Sequence, residues 1–561
     1  MNIAYAQLNY HIGNFSANTT KIISAIEQAK HEQAELIVFS ELCICGYPPL
    51  DLLEQKDFIE NCLIHAEKIA EHCDSIAAII GCPTINKNER GKQLFNSALF
   101  LSEKKITQVF HKTLLPTYDI FDEYRYFESN TDFSVLSFKG HTFAITICED
   151  LWDNQLFEQS FAKNKLYKQS PLHKLSDHSP EMVINIAASP FSYNQEYTRT
   201  TVLQENAYNF SIPILYVNQV GANTEIIFDG RSKLINAEGE IVHELSEFEE
   251  DFSIINTETD CKQKGTDLPA FNKIEKIYKA LILGITDFFA KNNFKTATLG
   301  LSGGIDSAVV LALVADAIGP ENIRVLLMPS EFSSQHSVDD AVQLALNLNI
   351  HYDIIPIHKS YSSILSTLEP VFKDSPFSVA EENIQARLRG LLLMAISNKF
   401  GNILLNTSNK SEAAVGYSTM YGDMNGGLSI LGDVYKKDVF ALAHFINRNT
   451  EIIPFNSIAK PPSAELRPDQ KDSDSLPNYE TLDAILFEYI EKKLAPEDII
   501  AQGYDKQIVY DTITKVNNNE YKRFQFPPIL RISSKSFGFG RRIPLVAKHE
   551  WYIGAKKTDT F

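Results

Sequence analysis

The sequence predicts an α/β protein in two parts, and three observations carry that expectation. The chain has 561 residues, more than one hydrophobic core comfortably organises, so two domains are the default. Short apolar runs alternate with helical patterns in both halves, and in the second half at the spacing of a parallel, doubly wound sheet. Between them lies SEFEEDFSIINTETDCKQKGT (246–266), polar and acidic with only scattered apolar anchors. A linker is accordingly placed at 251–270, separating a domain at 1–250 from one at 271–561.

In the first half the apolar runs are LIVFS (36–40), IAAIIG (76–81), SALFLS (97–102), ITQVFH (106–111), TFAITI (142–147), VINIAAS (183–189) and ILYVNQV (214–220). Their length and β-branched content suit strands buried on at least one face. Helices fit 17–30, where Ile22, Ile23, Ile26 and Ala29 share a face, and 58–72. The second half opens with a helical pattern (271–292), then TATLGL, a glycine loop, a helix (305–318), IRVLLMPS, a helix (336–348) and HYDIIPI. No internal repeat or low-complexity block interrupts either half.

Composition narrows the class. Hydrophobic residues make up 44% and charged residues 22%, as in soluble globular proteins. No run of eighteen apolar residues occurs, and MNIAYAQLNYHIGNF lacks a basic leader and a cleavable apolar core, so a cytoplasmic location without membrane contact is expected. The seven cysteines (43, 45, 62, 73, 82, 148 and 261) are odd in number and irregular in spacing, which argues against a disulfide framework. Cys43 and Cys45 have no matching second pair for zinc and read as small core hydrophobes. The net charge of −19 disfavours a nucleic-acid coat. Only 521–542 runs the other way, with Lys522, Arg523, Arg531, Lys535, Arg541 and Arg542 and no acid; it reads either as a solvated basic face or as a local anion site.

Three reactive side chains each follow a predicted strand directly: Glu41 after LIVFS, Lys112 after ITQVFH and Cys148 after TFAITI. Strand ends place side chains at the rim of a sheet. Amide hydrolysis needs this set, with a thiol nucleophile, a carboxylate to move protons and a cation for the oxyanion. A cysteine after a strand is ordinarily a core residue, so context decides. SELCICGY, HKTLLPTYDIFDEYRYF, ITICEDLW and NIAASPF resemble the nitrilase-type amidase superfamily, in its glutaminase branch, over most of 1–245. The resemblance implies an α-β-β-α sandwich, a Glu41–Lys112–Cys148 triad, and Glu123 as the second glutamate that orients the lysine. It places Tyr118 and Ser189 in the glutamine pocket, with Gln195 standing where the family usually carries lysine. A glutaminase using an N-terminal cysteine is excluded, because position 2 is Asn2.

The second half holds GLSGGIDSA (300–308) between a strand and a helix. Adjacent glycines let backbone N–H groups converge at a helix N-terminus, a natural phosphate cradle. Ser302 and Ser307 add hydroxyls, and Asp306 beside phosphates reads as a Mg²⁺ ligand. The spacing is not that of a Walker A loop. It resembles the N-type ATP pyrophosphatases, and 271–542 resembles their NAD synthetase branch through MPSEFSSQHSVDDA, EENIQARLRG, LNTSNKSEAAVGYSTMYGD, KPPSAELRPDQKDSDSLP and LRISSKSFGFGRR. That resemblance implies that Gly300, Leu301, Ser302, Gly303, Gly304, Ile305, Asp306 and Ser307 hold ATP, with Thr407, Lys436 and Ser463. It implies Asn383, Arg387, Glu412 and Lys535 as contacts to nicotinate adenine dinucleotide, with Glu412 joining Asp306 near the metal. Met420 stands where ammonia-only relatives carry a lysine.

Together the resemblances imply that nicotinate adenine dinucleotide, ATP, glutamine and water become NAD, AMP, pyrophosphate and glutamate. Free ammonia would mostly protonate at neutral pH, so an enclosed passage is expected. The expected partners are these small molecules and further copies of the chain, without nucleic acid. Two other readings remain: a different ATP-pyrophosphatase amidotransferase or nucleic-acid thiolase, and a metabolite-binding pseudoenzyme. Persulfide chemistry needs cysteines near the ATP loop, and none follows Cys261. A pseudoenzyme would show a degenerate triad or loop.

Overall fold

The computed structural model describes residues 1–154, 166–266, 271–463, 465–468, 470, 472 and 476–549. It divides into two compact units, Met1–Phe271 and Asn272–Phe561.

The first unit begins β1 (Asn2–Gln7), α1 (Phe15–His31), β2 (Leu36–Val38), α2 (Lys56–Ala70), β3 (Ala77–Ile85), β4 (Leu94–Ser102), β5 (Lys105–His111) and α3 (Glu123–Tyr126). It continues β6 (Leu136–Phe138), β7 (His141–Ile147), α4 (Pro171–Ser176), β8 (Met182–Ile186), α5 (Glu196–Phe210) and β9 (Ile214–Val217). Short strands close it: β10 (Val220–Asn223), β11 (Ile226–Asp229), β12 (Lys233–Ile235), β13 (Ile241–Glu244) and β14 (Asp251–Asn256). Two six-stranded sheets result, ordered β14-β1-β2-β3-β4-β5 and β13-β12-β9-β8-β7-β6, beside the β10-β11 hairpin.

Alternation along the strands explains the layering. Ile3, Tyr5, Leu36, Val38 and Ile79 share one core with Phe143, Ile145, Ile147, Ile184 and Ile186 of the second sheet. Their neighbours Ala4, Ala6, Ile37, Ala78 and Ile80 face the other way, onto Ile22 and Ile26 of α1 and Ile59 and Ile69 of α2. Leu172 and Leu175 of α4, with Leu203 and Ala207 of α5, pack about the second sheet. The unit is therefore helix, sheet, sheet, helix. Six of the seven cysteines are buried and all seven are free thiols.

Two expectations differ. Residues 251–256 are not linker but β14, paired antiparallel with β1 from Asn2↔Asn256 to Gln7↔Asp251. Their half-exposed pattern, entered through the acidic run before them, is that of an edge strand. ILYVNQV is not one strand but the whole of β9 and the first residue of β10. The break falls at Asn218, whose side chain bonds the Ser189 amide and the carbonyls of Ser189 and Gly230.

The second unit runs α6 (Lys273–Lys291), β15 (Ala297–Gly300), α7 (Ile305–Ile318), β16 (Ile323–Leu327), α8 (Gln335–Asn347), β17 (His351–Ile354), α9 (His358–Phe372), α10 (Val379–Phe400), β18 (Ile403–Asn406), α11 (Lys410–Val415), β19 (Leu428–Ser429) and α12 (Lys436–Ile446). Its sheet is ordered β17-β16-β15-β18-β19, and every pairing is parallel. The order reverses direction between β15 and β18, so a crevice opens at their carboxyl ends. α7 is apolar nearly all round, and Ala308 to Ala315 are all buried.

Candidate active sites

In the first unit, strand ends gather the expected triad. Glu41 sits in the loop after β2, which approaches β3 so closely that a Cβ on Gly81 would lie 2.2 Å from the Leu42 nitrogen. Lys112 follows β5, and its Nζ donates to Glu41 Oε1 at 2.7 Å and to Glu123 Oε1 at 2.8 Å. Glu123 opens α3 and is buried. Cys148 follows β7 with φ of +44°, a left-handed turn unusual for a side chain with a Cβ. Its Sγ lies 3.5 Å from the Ser189 hydroxyl.

Burial governs the electrostatics. It pushes the Cys148 thiol well above its usual value; Glu41 adds to that and Lys112 opposes it. Cys148 therefore rests as a thiol and would need a base to attack as a thiolate. Burial alone would depress Lys112, but Glu123 and Glu41 outweigh it and hold the ammonium firmly charged. Glu123 is pushed up to about 7 by burial, against the pull of Lys112.

Tyr118 donates to Glu149 at 2.9 and 3.1 Å, and Tyr167 joins it at 2.7 Å. Gln195 caps the start of α5 with its backbone carbonyl, which accepts the Arg199 amide at 3.0 Å, and is exposed.

Sequence reasoning missed several supporting residues. Asp150 accepts the Thr113 and Leu114 amides at 2.9 and 2.8 Å and the Ile147 amide at 3.0 Å, tying the Lys112 and Cys148 strand ends together. The Tyr47 hydroxyl donates to Glu123 at 2.9 Å, Asn96 bridges the two glutamates, and the Ala188 amide donates to Glu41 Oε2 at 3.0 Å. Asp150 lies within ITICEDLW and was the most accessible of these; the others carry no local signal.

In the second unit, a cavity of about 330 Å³ lies at the carboxyl ends of β15 and β18. Gly300, Leu301, Ser302, Gly304, Ile305, Asp306, Ser307, Thr407, Glu412, Lys436 and Ser463 line it. Gly303 instead turns away, with φ of +77°, and a Cβ there would lie 2.1 Å from the Ser337 carbonyl oxygen. Its own carbonyl accepts the Ser457 hydroxyl at 3.0 Å. Ser302 Oγ accepts the Gly304 amide at 3.2 Å and lies 3.1 Å from Ser307 Oγ, so the hydroxyls shape the loop. Gly304 offers no side-chain cap, which leaves the first N–H groups of α7 available to an anion.

Lys436 Nζ reaches Asp306 at 2.5 Å and Glu412 at 3.3 Å, and Asn409 donates to the other Asp306 oxygen at 2.8 Å. Burial pushes Glu412 up to about 8, against the pull of Lys436. Among the described residues no group of three or more His, Cys, Asp or Glu is arranged for a metal. A carboxylate pair nonetheless suits Mg²⁺, which takes one or two protein carboxylates and completes its shell with phosphate and water.

Asn383, Arg387 and Lys535 do not line the cavity. Asn383 accepts the Thr419 hydroxyl at 2.7 Å and Arg387 donates to the Met420 carbonyl at 3.2 Å, so both steady the 419–420 turn. The Lys535 carbonyl accepts Lys410 Nζ at 2.9 Å, within a buried network joining Asp433 and Glu491. The basic segment is partly internal. Lys522 donates to the Gly416 and Ser418 carbonyls at 2.7 and 2.9 Å, and Arg523 to that of Ala414 at 2.5 Å, completing the C-terminal end of α11. Arg541 pairs with Glu520.

The carbon-nitrogen hydrolase family model matches residues 2–263, and the NAD synthase model residues 277–526. A glutamine-dependent NAD(+) synthetase of Synechocystis sp. is 43% identical over 97% of this chain and 98% of its own length. One from Acinetobacter baylyi is 41% identical over the same shares. The solved glutamine-dependent NAD+ synthetase of Acinetobacter baumannii, in complex with adenosine diphosphate, is 39% identical with a TM-score of 0.75, covering 97% of this chain and 98% of that one.

Proposed function

The chain belongs to the glutamine-dependent NAD(+) synthetases, and from that premise we propose which of its residues perform each half of the reaction. It is a ligase that makes NAD from nicotinate adenine dinucleotide with ATP and glutamine. The hydrogen-bonded arrangement of Glu41, Lys112 and Glu123 beside Cys148 carries the assignment of glutamine hydrolysis to residues 1–250.

Cys148 Sγ attacks the carboxamide carbon as Glu41 takes the thiol proton, because a raised thiol cannot be a standing thiolate. The Lys112 ammonium faces the developing oxyanion. Collapse returns the proton to nitrogen and expels ammonia, leaving a thioester. Glu41 then deprotonates a water that attacks it, and glutamate leaves. Ser189, Tyr118 and Gln195 are assigned to glutamine binding beside the thiol, Ser189 through its hydroxyl 3.5 Å from Sγ.

ATP is assigned to the cavity in residues 271–561. The loop amides and the α7 N-terminus hold its phosphates, and Lys436, Thr407 and Ser463 complete the contact. The dinucleotide carboxylate attacks the α-phosphorus, pyrophosphate leaves, and ammonia displaces AMP. Asp306 and Glu412 would hold Mg²⁺, which when bound offsets the charge between phosphates and carboxylate. Asn383, Arg387 and Lys535 are assigned to the dinucleotide through the turn and network they steady.

No described helix is long and apolar enough to cross a membrane. We place the enzyme in the cytoplasm, where seven free thiols persist, and assign it a homo-oligomeric state. Val371 of α9 and Val379 and Leu391 of α10 are exposed apolar side chains that a second copy would cover. The direct test supplies nicotinate adenine dinucleotide and ATP with either glutamine or ammonia. NAD, AMP and pyrophosphate should form in equal amounts from both nitrogen sources. Failure with glutamine alone would remove the glutaminase assignment, and equal turnover of another carboxylate acceptor would remove the dinucleotide one.

A further inference from the structure

Among the described residues, Asn96 joins Lys112 in hydrogen-bonding both proposed catalytic glutamates. Asn96 lies in β4, and its carbonyl accepts the Lys112 amide at 2.8 Å. Its Nδ2 donates to Glu41 Oε1 at 2.7 Å and, more weakly, to Glu123 Oε2 at 3.4 Å. The residue is fully buried, and its Oδ1 has no partner among the described residues. An unbonded amide oxygen in a core is a cost to the fold. A leucine of similar size would suit this strand better, so the value of the asparagine lies on its Nδ2 side.

The charge count shows what that side does. Glu41 and Glu123 share one lysine, so the buried box holds one carboxylate too many. Neutral donors absorb the excess: Tyr47 at Glu123, Ala188 N–H at Glu41 Oε2, and Asn96 at both acids. Glu41 Oε1 thus has two strong donors, whereas Oε2 has one.

We infer that Asn96 is a positioning residue for glutamine hydrolysis: with Lys112 it occupies Oε1 of Glu41, fixes the orientation of that carboxylate, and leaves Oε2 to receive the Cys148 proton. The inference rests on the assignment of Glu41 as the base. The proton passes from Sγ to Oε2 as the sulfur–carbon bond forms and the carbonyl electron pair moves to oxygen; it later leaves with ammonia. The groups facing Glu41 are Lys112 after β5, Glu123 of α3, Tyr47 of the loop after β2, and Cys148 and Glu149 after β7.

The test compares Asn96→Leu and Asn96→Asp in the full chain. Leucine removes the donor, so kcat/KM for glutamine should fall about 10- to 100-fold at neutral pH. Its acid limb should move to higher pH, because an ionised base that loses a donor protonates more readily. Aspartate matches asparagine in shape but adds a third carboxylate, so it should lower the rate at least about 10-fold further. Ammonia-driven synthesis should stay unchanged in both. A packing role predicts the reverse order, with aspartate the milder change, and that order or an unmoved acid limb would overturn the inference. If either variant melts far below the parent, Asn96→Ser is measured for the same displacement of the limb. A Cys148→Ala chain that still used glutamine would instead sink the underlying assignment.

Discussion

Each unit buries a lysine between two carboxylates, yet the two sites are built to opposite ends. Lys112 lies between Glu41 and Glu123, and their side chains are 0%, 1% and 6% exposed. Neutral donors from Asn96, Tyr47 and Ala188 complete that box. Lys436 lies between Asp306 and Glu412, whose side chains remain 19% and 17% exposed toward a cavity of about 330 Å³. The first arrangement is finished before substrate arrives, as suits a small neutral amide whose transition state needs preset charges. The second keeps its acids reachable, as suits a dication and a polyphosphate that bring their own charge. A shared ion-pair motif therefore says little by itself; access and the surrounding donors decide its use.

The largest effect that separates the two is expected at Cys148. Cys148→Ala deletes the proposed nucleophile without adding bulk, so NAD synthesis from glutamine should vanish while synthesis from added ammonia persists. Loss of both activities would mean the sites are not separable. Next comes Asp306→Asn in the open site. Adenylation should fall by roughly two or more orders of magnitude with glutamine hydrolysis retained at its basal rate. AMP formation near the parent rate would take Asp306 out of the mechanism.

A smaller effect is expected at Arg387, outside the cavity lining. Arg387→Ala should raise KM for the dinucleotide about tenfold and more than that for ATP. The guanidinium also steadies the Met420 carbonyl, so Arg387→Lys, which keeps charge but loses the Nε bond, tells direct contact from turn support. An unchanged dinucleotide KM in both variants counts against the contact.

The smallest concerns pH and the closed box. Burial raises Glu123 to about 7, above its unfolded value, so the native state binds the extra proton. Its contribution to stability is therefore greatest below the unfolded carboxylate pKa and is lost as pH rises toward about 7. Glu123→Gln should flatten that part of the stability profile in denaturant melts. An identical slope in parent and variant would show that other groups carry it.

Much of this molecule was legible before any coordinates, because its signals are local. β-Branched runs, the amphipathic pattern of α1 and the SGGIDS loop each fit within a few residues, and chemistry at a strand end is read from the strand. The position of Glu41, Lys112 and Cys148 after their strands needed nothing more. What tertiary structure alone decided is which distant groups meet. The pairing of β14 with β1 joins residues some 250 apart in the chain, and acidic composition hid the strand because an edge tolerates charge. Asn96, Tyr47 and Ala188 have no distinguishing neighbours; their role exists only through hydrogen bonds to glutamates distant from them in the chain. Lys522 and Arg523 of the basic 521–542 segment point inward for the same reason, since the carbonyls at the end of α11 become acceptors only once the helix has packed. Sequence determined the kinds of groups and the elements that carry them, and packing decided which charges are shielded, shared or left open to substrate.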